Sequence, residues 1–103
     1  MSDFYRRDGT PYANAVEWSK DFGIVENKIV KQEELPNGYF VSTVWLGLNH
    51  NYGEGKPLIF ETMVFPEKGN YSDIYMERYS TEQEAIEGHN RLVEKWKNIT
   101  EGK

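Results

Sequence analysis

Leu58-Ile59-Phe60-Glu61-Thr62-Met63-Val64-Phe65, a loop over 66–72, then Asp73-Ile74-Tyr75-Met76-Glu77-Arg78-Tyr79: these two runs decide the fold. Both are rich in the branched and aromatic side chains that suit a pleated, half-buried surface. As antiparallel neighbours they prefer one register. Setting Glu61 opposite Arg78 aligns Met63 with Met76, Phe65 with Ile74, Val64 with Tyr75 and Phe60 with Tyr79. A slip of one residue places Glu61 against Glu77, a like-charge pair that costs stability. The sequence therefore predicts two paired strands with Glu61 beside Arg78.

Towards the N-terminus, residues 39–48 are dominated by β-branched and aromatic side chains and read as another strand. Residues 28–35 read as one more, joined to it by Pro36-Asn37-Gly38, where Pro fixes one φ and Asn-Gly tolerates a positive one. Centring the 49–57 loop on Gly53 pairs Trp45 with Glu61 and Thr43 with Met63. Towards the C-terminus, Thr81 and Glu84 form a capping box. Ala85, Ile86, His89, Leu92, Val93 and Trp96 then repeat with helical spacing. A first helix is expected over 11–22, with Thr10 as N-cap, Pro11 in the first position and Gly23 as the stop. The order is α-β-β-β-β-α. Short connections make it a four-stranded antiparallel β-meander with an N-terminal and a C-terminal α-helix, class α+β. Residues 1–103 read as one domain, with 1–9 as a flexible arm and 99–103 as a flexible tail.

On this register both sheet faces are apolar. One carries Val41, Trp45, Ile59, Met63, Phe65, Ile74 and Met76; the other carries Phe40, Val44, Leu46, Leu48, Leu58, Phe60, Val64, Tyr75 and Tyr79. An antiparallel sheet commonly keeps one wet face, so two apolar faces need cover. The helices can sit on opposite faces, two subunits can meet, or one face can dock a partner. The 11–22 helix is short for a four-stranded face. The expectation is a homodimer or protein-partner interface on the Trp45/Met63/Phe65/Met76 side, with cover by the first helix, Phe4 and Tyr5 as the competing arrangement.

Composition bounds the function. The chain has 103 residues, enough for one core, and seven Tyr, five Phe and three Trp weight its apolar fraction towards rings. Without Cys, disulfide, thiolate and Cys-based metal chemistry are excluded. A net charge of −5 argues against a non-specific nucleic-acid binder, which needs a basic stripe. No apolar run is long enough to span a membrane, and no apolar segment follows Arg6-Arg7 as a secretory signal requires. The expected compartment is the cytoplasm, with no membrane association.

Chemistry-bearing residues are few. His50, in a loop between two Asn, reads as a proton shuttle or polar ligand contact, or as a solvated loop residue. His89 lies inside the apolar helical stripe. A buried His needs partners for both ring nitrogens, and Glu61, Thr62 and Glu77 are candidates. Two His plus Glu61 lack local metal-ligand spacing, so no metal and no cofactor is assigned. Gly53-Glu54-Gly55-Lys56 fails as a phosphate loop, because His50 stands where a Gly is needed and Pro57 where Ser or Thr is needed. No nucleophile has a base nearby in sequence, which weighs against an enzyme. One end of the sheet gathers a candidate small-molecule pocket of Asn49, His50, Tyr52, Glu61, Arg78 and His89, with Ser80 and Thr81 at its rim.

Three blocks bear a resemblance: Ser42-Thr43-Val44-Trp45-Leu46-Gly47-Leu48-Asn49-His50; Pro57-Leu58-Ile59-Phe60-Glu61-Thr62-Met63-Val64-Phe65; and Arg78-Tyr79-Ser80-Thr81-Glu82 with Glu84-Ala85 and Gly88-His89. The chain is similar to a group of small phage and prophage proteins, over about two thirds of its length. Those relatives commonly have Asp where this chain has Asn49, which weakens a catalytic or metal role there. The resemblance implies a phage-encoded accessory protein in a bacterial host cell that acts by binding a host protein, such as a defence component, or itself. The alternative is a small enzyme or ligand-sequestering protein using His50, Glu61, Arg78 and His89.

Overall fold

A computed structural model describes residues 3–99 apart from Tyr52 and Glu54. The elements are α1 (Ala15–Phe22), α2 (Val25–Lys28), β1 (Ile29–Glu34), β2 (Phe40–Trp45), β3 (Phe60–Phe65), β4 (Tyr75–Tyr79) and α3 (Glu82–Trp96). The strands form one antiparallel sheet in the order β1-β2-β3-β4, the expected meander in an α+β fold.

Local signals explain most boundaries. Gly38 takes φ 97° and its N–H donates to Leu35 O at 2.9 Å, closing the Pro36-Asn37-Gly38 turn. Thr81 caps α3 and the reciprocal bond from Glu84 completes the capping box. The first helix differs from expectation: it begins at Ala15, capped by Asn14, whose side chain accepts the Glu17 N–H at 3.0 Å. Thr10 is unavailable as a cap because its N–H and hydroxyl both donate to the Asp8 carboxylate, at 2.9 and 2.7 Å. Pro11 instead bridges Tyr5. The segment expected as a flexible arm is thereby pinned from Asp3 onward: Phe4 bridges Leu48, and Tyr5 N–H donates to Gly47 O at 2.7 Å. Of the expected tail, Ile99 packs against the core beside Trp96, and 100–103 lie outside the described residues.

The β3–β4 register is the expected one, with Glu61 opposite Arg78 and Met63 opposite Met76. The β2–β3 register is shifted by one residue. Trp45 faces Phe60 rather than Glu61, and Thr43 faces Thr62 rather than Met63. Because side chains alternate, this slip exchanges the faces of β2. Val41, Thr43 and Trp45 share a face with Phe60, Thr62 and Val64; Phe40, Ser42 and Val44 join Met63 and Phe65.

The first of these faces holds the core. α3 crosses it, burying Ala85, His89 and Leu92. Trp18 and Phe22 of α1 pack there against Trp45, so both long helices share one face. Gly47 makes the junction: it has φ 75°, and a Cβ there would overlap the rings of Trp18 and Trp45. Gly47→Ala should therefore cost about 2–4 kcal/mol from overpacking and left-handed strain. Urea unfolding followed by Trp fluorescence measures it, and a loss under about 1 kcal/mol would show the close approach to be incidental.

Candidate interaction surface

The opposite face of the sheet can be read in cross-strand rows. Ile29, Val44, Glu61 and Arg78 make one row, and Gln32, Ser42, Met63 and Met76 the next. Glu34, Phe40 and Phe65 make the third, extended by Tyr71, whose ring meets Phe65 edge-on at 6.2 Å. Neither α1 nor α3 reaches this side. Tyr71 is 85% exposed, Ile74 47% and Met76 38%. The exposed apolar surface thus lies towards β4, with Phe40, Val44 and Met63 half-buried beside it and Phe65 and Ser42 buried; Gln32 and Glu34 on β1 and the Glu61–Arg78 pair border it. That is the arrangement of a binding patch, with an apolar centre and polar rim.

Of the residues expected to form an interface, Met63, Phe65 and Met76 lie here. Trp45 does not. It is 2% exposed on the core face, and its Nε1–H donates to Tyr5 O at 3.0 Å. Phe40 and Val44 take its place, and the one-residue register shift is the reason.

The expected pocket divides between the two faces. Glu61 and Arg78 pair at 3.0 Å, and Glu61 is buried while Arg78 is exposed. His50 is near enough for both to act on it: burial lowers its pKa, the Arg78 charge lowers it further, and Glu61 opposes them. Asn49 organises the loop, its side chain accepting the N–H groups of Asn51 and Leu58 at 2.8 and 2.9 Å. Tyr52 lies outside the described residues.

His89 lies on the core face, away from this cluster. Its Nδ1 is 2.7 Å from Thr43 Oγ1 and its Nε2 is 3.3 Å from Glu33 Oε1. The carboxylate only accepts, so Nε2–H donates to it and Nδ1 accepts from the Thr43 hydroxyl. Thr43 in turn meets Thr62 Oγ1 at 2.5 Å. Of the partners expected for His89, Thr62 is reached through Thr43, while Glu61 faces the other way and Glu77 serves Tyr75, Tyr79 and Arg91. His50 and His89 therefore cannot share a ligand with Glu61, and no cluster of His, Cys, Asp or Glu among the described residues could hold a metal ion.

The polar groups under α3 have settled protonation states. Burial depresses the His89 pKa and keeps the ring neutral. Burial also pushes Tyr79 up to about 12, helped by its bond to Glu77. Burial pulls Glu77 upward, but hydrogen bonds from Arg91, Tyr75 and Tyr79 outweigh it and hold the carboxyl below its usual value. These groups join β1, β2, β3 and β4 to α3, an architectural role. No helix among the described residues is long and apolar enough to cross a membrane. Compared with family models, curated proteins and solved structures, the chain matches none.

Proposed function

We propose that this chain is a binding module, an accessory protein of the phage type it resembles, which docks a partner protein on its open sheet face. The observation that carries this reading is the concentration of both long helices on one face, which leaves Met76 exposed and Phe40, Val44 and Met63 half-buried on the other, around a buried Phe65. Each copy carries a charge of −5, which opposes self-pairing. Glu34 at the rim favours a partner with basic groups around an apolar centre.

The test is affinity capture from host-cell extract with the native chain, Met76→Lys, and Glu94→Lys on the far side of α3. A stoichiometric partner should be retained by the native chain and Glu94→Lys, and bound about 30-fold more weakly by Met76→Lys, a hot-spot loss. His50→Ala should leave capture intact. Equal capture by Met76→Lys, or sedimentation of the native chain as a dimer that Met76→Lys dissociates, would overturn the partner reading.

A further inference from the structure

Asn37 joins two parts of the chain that are remote in sequence. It lies in the turn between β1 and β2, and its Nδ2 amide donates to Trp96 O and to Ile99 O, each at 2.7 Å. Both carbonyls stand at the C-terminal end of α3, where a helix leaves acceptors without partners of its own. Trp96 and Ile99 pack there against the cluster around Leu35 and Tyr39. One side-chain amide thus fastens the end of α3 to the turn.

The place suits an amide and not a carboxylate. Both Nδ2 hydrogens meet carbonyls, while Oδ1 is buried with no donor among the described residues. An aspartate here would turn the two donors into an acceptor facing two acceptors, at the end of the helix whose dipole repels negative charge.

Asn37 is also the one Asn in the chain followed by Gly. Gly38 has no Cβ to obstruct attack by its own backbone nitrogen on the Asn37 side-chain carbonyl. In that attack the Gly38 nitrogen bonds to Asn37 Cγ and gives up its proton. The Cγ–Nδ2 bond breaks, and Nδ2 leaves with that proton as ammonia. Water then opens the cyclic imide at either carbonyl, leaving an aspartate or an isoaspartyl linkage. The folded turn restrains the reaction, because Gly38 N–H donates to Leu35 O at 2.9 Å and α3 holds the amide.

We propose that Asn37 is a self-modification site: when the end of α3 opens, the Gly38 nitrogen displaces the Asn37 amide, and the carboxylate left behind cannot refasten the helix. The group that holds α3 is the group that leaves, and the only co-reactant is water. This change is independent of what the open sheet face binds.

The experiment is a timed incubation of the full chain at pH 8, folded and in urea, with deamidation followed by peptide mass mapping. Asn37 should convert ahead of every other Asn, and about 10- to 100-fold more slowly in the folded chain, the protection of a helix end that opens locally. In the converted chain the Lys97 and Ile99 amides, which donate to Val93 O and Trp96 O, should exchange hydrogen about tenfold faster. Asn37→Asp should reproduce that loss. Asn90→Asp, the same charge change at an exposed site on α3, should not. Equal rates folded and unfolded, complete protection of the folded chain, or earlier conversion at another Asn would overturn the proposal. So would unchanged exchange at Lys97 and Ile99 after conversion, or the same loss in Asn90→Asp.

Discussion

Trp45→Ala should remove about 3–5 kcal/mol of folding stability, whereas Met76→Lys should leave the fold within about 0.5 kcal/mol of the native chain. The two residues look alike in the sequence, large and apolar on strands of one sheet. The register separates them. Trp45 is 2% exposed, lies 5.9 Å from the Phe22 ring and 6.4 Å from that of Tyr12, and anchors the arm through Tyr5 O. Its removal opens a large cavity and takes the indole donor from the Tyr5 carbonyl. Met76 is 38% exposed on the uncovered face, where a lysine stem can lie along apolar surface with its charge in water. A domain of this size has roughly 5–15 kcal/mol in total, so Trp45→Ala should shift the urea midpoint far down while Met76→Lys barely moves it. Comparable losses would mean that the two faces are wrongly assigned.

The same pair shows what was legible in the sequence. The β3–β4 register could be read because its alternatives differ in charge: Glu61 meets either Arg78 or Glu77. No such penalty marks the β2–β3 slip. The connection from Leu46 to Ile59 is long, and Asn49 organises it locally, so the loop midpoint does not fix the pairing. What does is remote: Thr43 must meet Thr62 and His89 under α3. The capping box at Thr81 was legible because all its atoms lie within one turn. The start of α1 was not, because Thr10 could serve either the helix or the Asp8-Gly9 turn, and the turn takes both of its donors. For the candidate surface, alternation pointed to an apolar face and to Met63, Phe65 and Met76. Phe40 and Val44 were assigned to the opposite face by the same slip that misplaced Trp45. His89 was legible as a buried ring needing partners, but their identity depended on which face of β2 it met.

Acidification should weaken the fold in a window that His89 defines. Its folded pKa is depressed by burial, with Glu33 opposing and Lys31 assisting. Above the ordinary value of 6.5 the ring is neutral in both states and contributes no slope. As the pH falls through 6.5 the unfolded chain takes up a proton that the folded chain refuses, so stability declines until the lower folded value is reached. One proton gives a slope of up to about 1.4 kcal/mol per pH unit. His50 is depressed too and acts with the same sign, but it sits partly exposed near Arg78 and Glu61, where solvent screens it. A second decline should begin below 4.5, where the unfolded chain protonates and Glu77 stays ionised. His89→Leu should remove most of the upper slope, leaving the smaller His50 part, and keep the lower one, while His50→Ala should keep most of both. At pH 8 the buried network gives an independent reading. Thr43→Val leaves His89 Nδ1 buried and unpaired and should cost about 1–3 kcal/mol. In His89→Leu, Thr43 still has Thr62 as partner, so combining Thr43→Val with His89→Leu should cost less than the sum of the two single changes. Urea midpoints of the five proteins, native chain included, between pH 4 and 8 test both points. An undiminished slope near pH 6 in His89→Leu, or strict additivity of the two changes, would show that the ring is not held neutral by its burial against Thr43.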